Sequence, residues 1–266
     1  MELIEILESL KLGKLTVSQA KKMLSIYSIE KVEDFAKLDV GRKIRRGIPE
    51  VIFAEKKQLI EIKKIILAAI KRSDSVLVSH INKNDYEKIL LFSKKNKIKT
   101  RIGKNTTSVL FLKNIPHFSG GRVGILTAGT SDIGVAEEAR LMCEAMGCIC
   151  ISSYDVGIAG LHRVFPIIKK MIKEEVDAII VVAGMQGALA SIVSSLVDIP
   201  VIGVPSSVGY GYGEKGIAAL ASMLQSCTLG LSVVNIDNGI GAGAIAANIA
   251  NRVKKKDLHL KYSKIR

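Results

Sequence analysis

Five short runs of β-branched and other apolar residues, RVGILTAG, CICISSYD, DAIIVVAG, PVIGVPSS and LSVVNIDNG, recur between Arg122 and Gly239. Each ends in Gly, Ser or Asp, and each leads into a segment with helical apolar spacing. A strand that is apolar along its whole length needs cover on both faces, and helices between successive strands supply it through right-handed crossovers. The pattern therefore predicts an α/β fold, a three-layer doubly wound parallel sheet. No sequence repeat accompanies the structural one, which excludes a solenoid.

The region ahead of these runs reads differently. Between Glu2 and Ser28 two short helical segments are split by KLGKLTVSQ, in which Thr16 or Ser18 is placed to cap the second. The stretch DVGRKIRRGIPEVIFAEKK then sets four basic residues before a Gly-Ile-Pro turn and a strand, and a helix and the strand SVLVSH follow. Residues 1–115 are thus a smaller N-terminal α+β region. PHFSGG, residues 116–121, is the expected linker, 122–252 the α/β domain, and 253–266 a basic tail.

A net charge of +14 raises the question of nucleic acid, and its distribution answers it. Residues 1–120 hold 25 basic and 13 acidic side chains, whereas 121–250 hold 7 and 11. The chain has no Trp and only 5% aromatic residues, so platforms for base stacking are scarce. The basic runs read as solvated faces, and nucleic acid is not the expected partner. No apolar run approaches twenty residues, so no membrane partner is expected either. The opening Met-Glu-Leu-Ile-Glu carries acid where a leader carries base, and a cytoplasmic protein is expected. Cys143, Cys148, Cys150 and Cys227 lack paired CxxC spacing, so neither a structural metal nor a disulfide framework is expected. The first three read as buried core. Cys227, alone before the last run, reads either as a small hydrophobe or as a nucleophile.

In a parallel sheet every strand delivers its following loop to the carboxyl edge, where ligands bind near the switch in strand order. The candidate loops are Gly129, Thr130, Ser131 and Asp132; then Asp155, Gly157, Gly160, His162 and Arg163; then Gly184, Met185, Gln186 and Gly187. Ser206, Ser207, Gly209 and Gly211 follow the fourth run, and Asn238, Gly239, Gly241 and Gly243 the fifth. Glycines admit an anion to the backbone and helix N-termini point N–H groups at it, so a phosphate-bearing, nucleotide-like ligand fits. No full G-x-G-x-x-G stands at the first turn and no Walker Lys-Ser/Thr is present, which argues against a standard dinucleotide or ATP site. Asp155, His162 and Arg163 supply either acid-base chemistry and anion recognition or a loop anchor and helix start.

Taken together, GILTAGTSD, SYDVGIAGLHR, VVAGMQGAL, PVIGVPSSVGYG and LQSCTLGLSVVNIDNGIGAG resemble the LarB family, and so does the N-terminal LDVGRKIRRGIPEVIFAE. The likeness spans about residues 36–252. LarB proteins are pyridinium biscarboxylic acid mononucleotide synthases of nickel-pincer cofactor synthesis, and their C-terminal domain is similar to the PurE aminoimidazole ribonucleotide carboxylases. The resemblance implies a homo-oligomer, an octamer as in PurE. It also implies carboxylation of the pyridinium ring of nicotinic acid adenine dinucleotide with carbon dioxide or bicarbonate as co-substrate, and phosphoanhydride cleavage releasing AMP. In that reading Cys227 is the nucleophile, Gln186, Asp155 and His162 are the other catalytic candidates, and Gly129, Thr130, Ser131, Asp132, Arg163, Gly184, Met185, Gly187, Ser206, Ser207, Gly209, Asn238 and Gly239 bind substrate. A divalent cation is a possible cofactor. The chain departs from the expected family pattern at Gln186, where AGMQGAL stands for AGMEGAL; an amide cannot act as a general base. Glu214 is a candidate substitute. The alternatives are a purine-pathway aminoimidazole ribonucleotide carboxylase or mutase, or a non-catalytic nucleotide- or nucleic-acid-binding protein.

Overall fold

The computed structural model describes residues 2–263, with side chains described through Lys255. The chain divides into two compact units, Met1–Arg101 with Leu110–Ile115, and Ile102–Val109 with Pro116–Arg266.

The first unit opens with α1 (Leu3–Lys11) and α2 (Val17–Leu24), a hairpin of β1 (Ile29–Val32) and β2 (Ala36–Asp39), and the short α3 (Arg42–Arg46). Thr16 caps α2, its hydroxyl oxygen accepting from the Gln19 N–H at 3.2 Å. β3 (Glu50–Phe53), α4 (Leu59–Arg72), β4 (Ser75–Ser79), α5 (Lys83–Lys95), β5 (Lys99–Ile102) and β6 (Val109–Leu112) follow. The sheet runs β3-β4-β6-β5, and β3 and β4 pair parallel across α4, so this mixed region contains a βαβ unit. The basic motif after β2 is taken up in ion pairs: Arg45 grips Asp39 with contacts of 2.6 and 3.1 Å, Arg42 reaches Asp39 and Glu50, and Lys43 reaches Asp74.

The second unit is the α/β domain. Its elements are β7 (Arg122–Thr127), α6 (Ile133–Ala145), β8 (Ile149–Ser153), α7 (Val164–Lys173), β9 (Ala178–Ala183), α8 (Ala188–Leu196), β10 (Val201–Pro205), α9 (Ile217–Leu224), β11 (Leu231–Val233) and α10 (Gly239–Ser263). The five strands are all parallel in the order β11-β10-β9-β7-β8. The expected doubly wound sheet is present, and its order changes direction between β7 and β9. β9 and β10 are buried along their whole length, the reason their sequences are uninterrupted apolar runs. One core layer joins Leu126, Met171, Val181, Leu189, Val193 and Met223. The stretch expected as a basic tail continues α10 as far as Ser263; residues 264–266 lie outside the described residues.

Candidate functional site

At the carboxyl edge, where the strand order reverses, lies a cavity of about 540 Å³. Its walls are Ala128–Asp132 after β7, Asp155 and Gly157–Ala159 after β8, Ala183–Leu189 after β9, and Val208 after β10. The first turn of α8 opens into it, and the N–H groups of a helix's first turn have no acceptor within the helix. They confer a partial positive charge suited to phosphate or carboxylate.

Each wall is locked by its own sequence. After β7, Asp132 is 3% exposed; its Oδ1 accepts from the Ser206 hydroxyl at 2.5 Å and its Oδ2 from the Gly129 N–H at 2.8 Å. Burial pushes this carboxyl above its ordinary range, with the Ser206, Gly129 and Gly184 hydrogen bonds opposing that rise. After β9, a side chain at Gly184 would meet the Val208 carbonyl oxygen at 2.2 Å, so only glycine fits there. The Met185 N–H donates to that same oxygen at 2.9 Å, and both Met185 and Gly187 take left-handed φ, 50° and 70°. This twist leaves Met185 and Gln186 exposed in the cavity wall.

After β8, Asp155 also has left-handed φ, 58°, which Asp tolerates better than most residues. Its N–H donates to Thr127 Oγ1 at 3.1 Å, and Arg163 donates to its carbonyl oxygen at 3.0 Å and to its carboxylate at 3.4 Å. Beside it the Tyr154 hydroxyl donates to Glu137 on α6. Burial raises the Tyr154 phenol, with Glu137 adding to the effect, to about 12.

The structure thus brings together at the cavity Gly129, Thr130, Ser131, Asp132, Asp155, Gly157, Gly184, Met185, Gln186 and Gly187. Arg163 stands behind Asp155. The other expected positions lie off its walls. His162 is exposed on the turn beyond Ala159, and Glu214 is exposed and pairs with Lys215. Ser206 is buried as the partner of Asp132, and the Ser207 N–H donates to Asp237. Gly209 has the Met185 backbone beside it, outside the cavity wall. Asn238 accepts from the Gly241 N–H at the start of α10, and a side chain at Gly239 would meet the Val135 carbonyl oxygen at 2.1 Å. Asn238 thus caps the first turn of α10, and Gly239 allows its close approach to α6.

Cys227 is exposed, in the loop that enters β11, and it is not among the lining residues. On either side of it, Ser226 accepts from the Ser191 hydroxyl at 2.8 Å and Thr228 donates to the Ser191 carbonyl oxygen at 3.4 Å. Ser191 is one turn along α8 from the cavity wall at Ala188, so the thiol sits on the flank of that helix. A loop that precedes a parallel strand belongs to the amino edge, and that order was available in the sequence. The apolar lining by Ile158, Ala159, Leu189 and Val208 was not, because such residues read as core. Cys143 and Cys148 are buried as expected; burial leads in pushing the Cys148 thiol up to about 12. Among the described residues no group of three or more His, Cys, Asp or Glu side chains is placed to hold a metal ion. No described helix is long and apolar enough to cross a membrane.

A family model described as AIR carboxylase matches residues 122–266, and one described as LarB/PurE-like N-terminal domain matches residues 29–107. The chain belongs to the LarB/PurE family. An uncharacterized protein of Methanocaldococcus jannaschii is 45% identical over 255 residues, covering 94% of this LarB/PurE chain and 98% of its own length. Proteins named N5-carboxyaminoimidazole ribonucleotide mutase are similar to about half of the chain. That of Thermotoga maritima is 30% identical over 48% of this chain and 74% of its own, and that of Pyrococcus horikoshii is 31% identical over 48% and 71%.

Proposed function

We propose that this LarB-type chain carboxylates the pyridinium ring of nicotinic acid adenine dinucleotide and cleaves its phosphoanhydride, releasing AMP. The observation that carries the reading is the union in one chain of a LarB/PurE-like N-terminal domain and an AIR carboxylase domain that contains SCTLGLSVVNIDNG. The cavity adds support: its glycine-lined walls and the α8 N-terminus suit phosphates, and its apolar lining suits a flat ring.

The chemistry balances without an external oxidant. The Cys227 thiolate adds to a ring carbon of the cationic pyridinium, giving an electron-rich dihydropyridine. Its nucleophilic carbon forms the bond to carbon dioxide. Loss of the proton from that carbon, with the electron pair expelling the thiolate, restores the aromatic ring. Water attacks the phosphoanhydride, and AMP leaves. Gln186 orients that water or the new carboxylate by hydrogen bonds, since an amide holds no basic site.

The test is intact-protein mass spectrometry after mixing protein, nicotinic acid adenine dinucleotide and bicarbonate, followed by small-molecule analysis. The expected result is an adduct on Cys227, with AMP and a carboxylated mononucleotide released; repeating the assay with a chelator tests the divalent cation. The rival reading, a ribonucleotide mutase of the kind named for those relatives, rests on likeness over about half of the chain. Cys227→Ser separates the two, abolishing the first activity and sparing the second. Turnover of carboxyaminoimidazole ribonucleotide with none of nicotinic acid adenine dinucleotide would establish the rival.

A further inference from the structure

Positive charge in the first unit is concentrated where no acid balances it. Between Glu87 and Asp132 the chain has no acidic residue, and Lys94, Lys95, Lys97 and Lys99 lie within six consecutive positions of that stretch. Lys94 and Lys95 end α5, Lys97 stands in the turn after it, and Lys99 opens β5, the strand at one edge of the sheet. All four are exposed, and among the described residues none of their ammonium groups has a hydrogen-bond or ion-pair partner. Other lysines of this unit do: Lys43 pairs with Asp74, Lys64 with Glu33 and Lys88 with Asp85.

The helix dipole accounts for part of this, since cations favour the last turn of a helix, where Lys94 and Lys95 stand. Lys97 has no such reason to be there. α5 ends in a Schellman turn, in which the Lys97 N–H donates to the Lys94 carbonyl oxygen at 3.1 Å and the Ile98 N–H to that of Ser93 at 2.9 Å. The turn holds Lys97 at φ 56°, a left-handed conformation that glycine takes without steric cost and lysine does not. A fold under no other demand would place glycine here, and charge for solubility could sit on any exposed residue. The side chain at 97 therefore answers to something outside the fold.

The chemistry of this surface selects its partner. Leu91, 66% exposed, lies one turn before Lys94 and Lys95 on the same face of α5. The one aromatic residue between Lys88 and Lys104, Phe92, is half-buried, with the Lys63 ammonium 5.5 Å from its ring centre. Bases thus have no open ring to stack on, whereas carboxylates and an aliphatic side chain both find a counterpart. We infer that the end of α5 and the start of β5 form a docking surface for an acidic segment of another protein, in which several Asp or Glu residues flank an aliphatic one. The surface is independent of the pyridinium chemistry proposed above.

The test is fluorescence anisotropy with the full chain and a labelled twelve-residue peptide of repeating Glu-Asp-Leu. The peptide is expected to bind the wild type. Binding is expected to weaken about threefold in Lys97→Gly and about thirtyfold in Lys94→Gln/Lys95→Gln/Lys97→Gly/Lys99→Gln, since each exposed ion pair contributes a small share. Lys97→Gly is expected at the same time to keep or raise the midpoint of urea unfolding, which separates loss of binding from loss of fold. A control that removes as many charges from other exposed positions, Lys21→Gln/Lys22→Gln/Lys56→Gln/Lys57→Gln, is expected to bind as the wild type does. No binding by the wild type, an equal loss in the control, or full binding by the first quadruple variant overturns the docking surface. A single-stranded oligo-dT that binds more tightly and displaces the peptide overturns the choice of partner. A lowered urea midpoint in Lys97→Gly overturns the assignment of that side chain to binding.

Discussion

Gln186 holds an amide in the wall of the cavity, at the position where the resemblance to LarB proteins leads one to expect a carboxylate. If water activation limits AMP release, Gln186→Glu supplies the missing base and is expected to raise that rate by about tenfold or more. Formation of the Cys227 adduct is expected to stay as it is, and rapid-quench measurement of the two steps checks the split. Equal AMP release in both proteins would falsify the assignment of water positioning to residue 186. Asp132 is a contrasting residue, because its carboxylate is occupied by the fold. Removing it in Asp132→Ala leaves the Ser206 hydroxyl and the Gly129 N–H without their acceptor in a buried place. Two such orphaned donors are expected to lower stability by about 2–4 kcal/mol, read from the midpoint of urea unfolding. The sequence made Asp132 visible as one residue of a loop after a strand. It did not distinguish a carboxylate facing ligand from one consumed by Ser206, since that partner lies 74 residues away.

At the scale of elements, the strands were legible because a buried parallel sheet demands apolar residues at every position, as in β9 and β10. The attachment of α6 to its surroundings was not legible, because it depends on buried carboxylates in a helix that reads as ordinary. Glu137 is 3% exposed, and its carboxylate accepts from Arg140, from the Tyr154 hydroxyl and from the Lys104 N–H. Burial raises this carboxyl, but Arg140, Tyr154 and Lys104 outweigh it and hold it below the ordinary range. A carboxyl lowered in the folded state contributes stability that is present above its unfolded value, about 4.3, and is lost as the pH falls through the folded one. Glu137→Gln is therefore expected to be less stable than the wild type at pH 7 and to show a shallower loss between about pH 4.3 and the acid limit. Thermal unfolding of both proteins across that window checks it; parallel curves would mean that Glu137 is not the group responsible.

For the whole molecule, composition marks a change at PHFSGG, after which the strand-and-helix alternation begins. The contacts divide the chain less simply, because Ile102–Val109 belongs with the second unit although it precedes that change. The reason is local and polar. The Ser108 and Thr106 hydroxyls donate to Glu138 at 2.6 and 3.0 Å, and the Lys104 N–H donates to Glu137 at 2.9 Å. Both carboxylates are buried on α6. Hydrogen bonds between a short polar segment and a distant helix leave no periodic trace, so nothing in TRIGKNTTS announces them. Their consequence is testable with fragments. Residues 102–266 carry every donor named for the two carboxylates, whereas residues 122–266, which match the AIR carboxylase family, lack Lys104 for Glu137 and both Thr106 and Ser108 for Glu138. A buried carboxylate that loses its donors costs more than a neutral group in the same position. The shorter fragment is therefore expected to unfold at lower urea than the longer one, by about 3 kcal/mol or more. Glu137 keeps Arg140 and Tyr154 in the shorter fragment, whereas Glu138 loses both hydroxyl donors, so Glu138→Gln is expected to recover part of that difference there while destabilising the longer one. If the fragments unfold together, the segment is a passenger, and the boundary of the second unit belongs at residue 116.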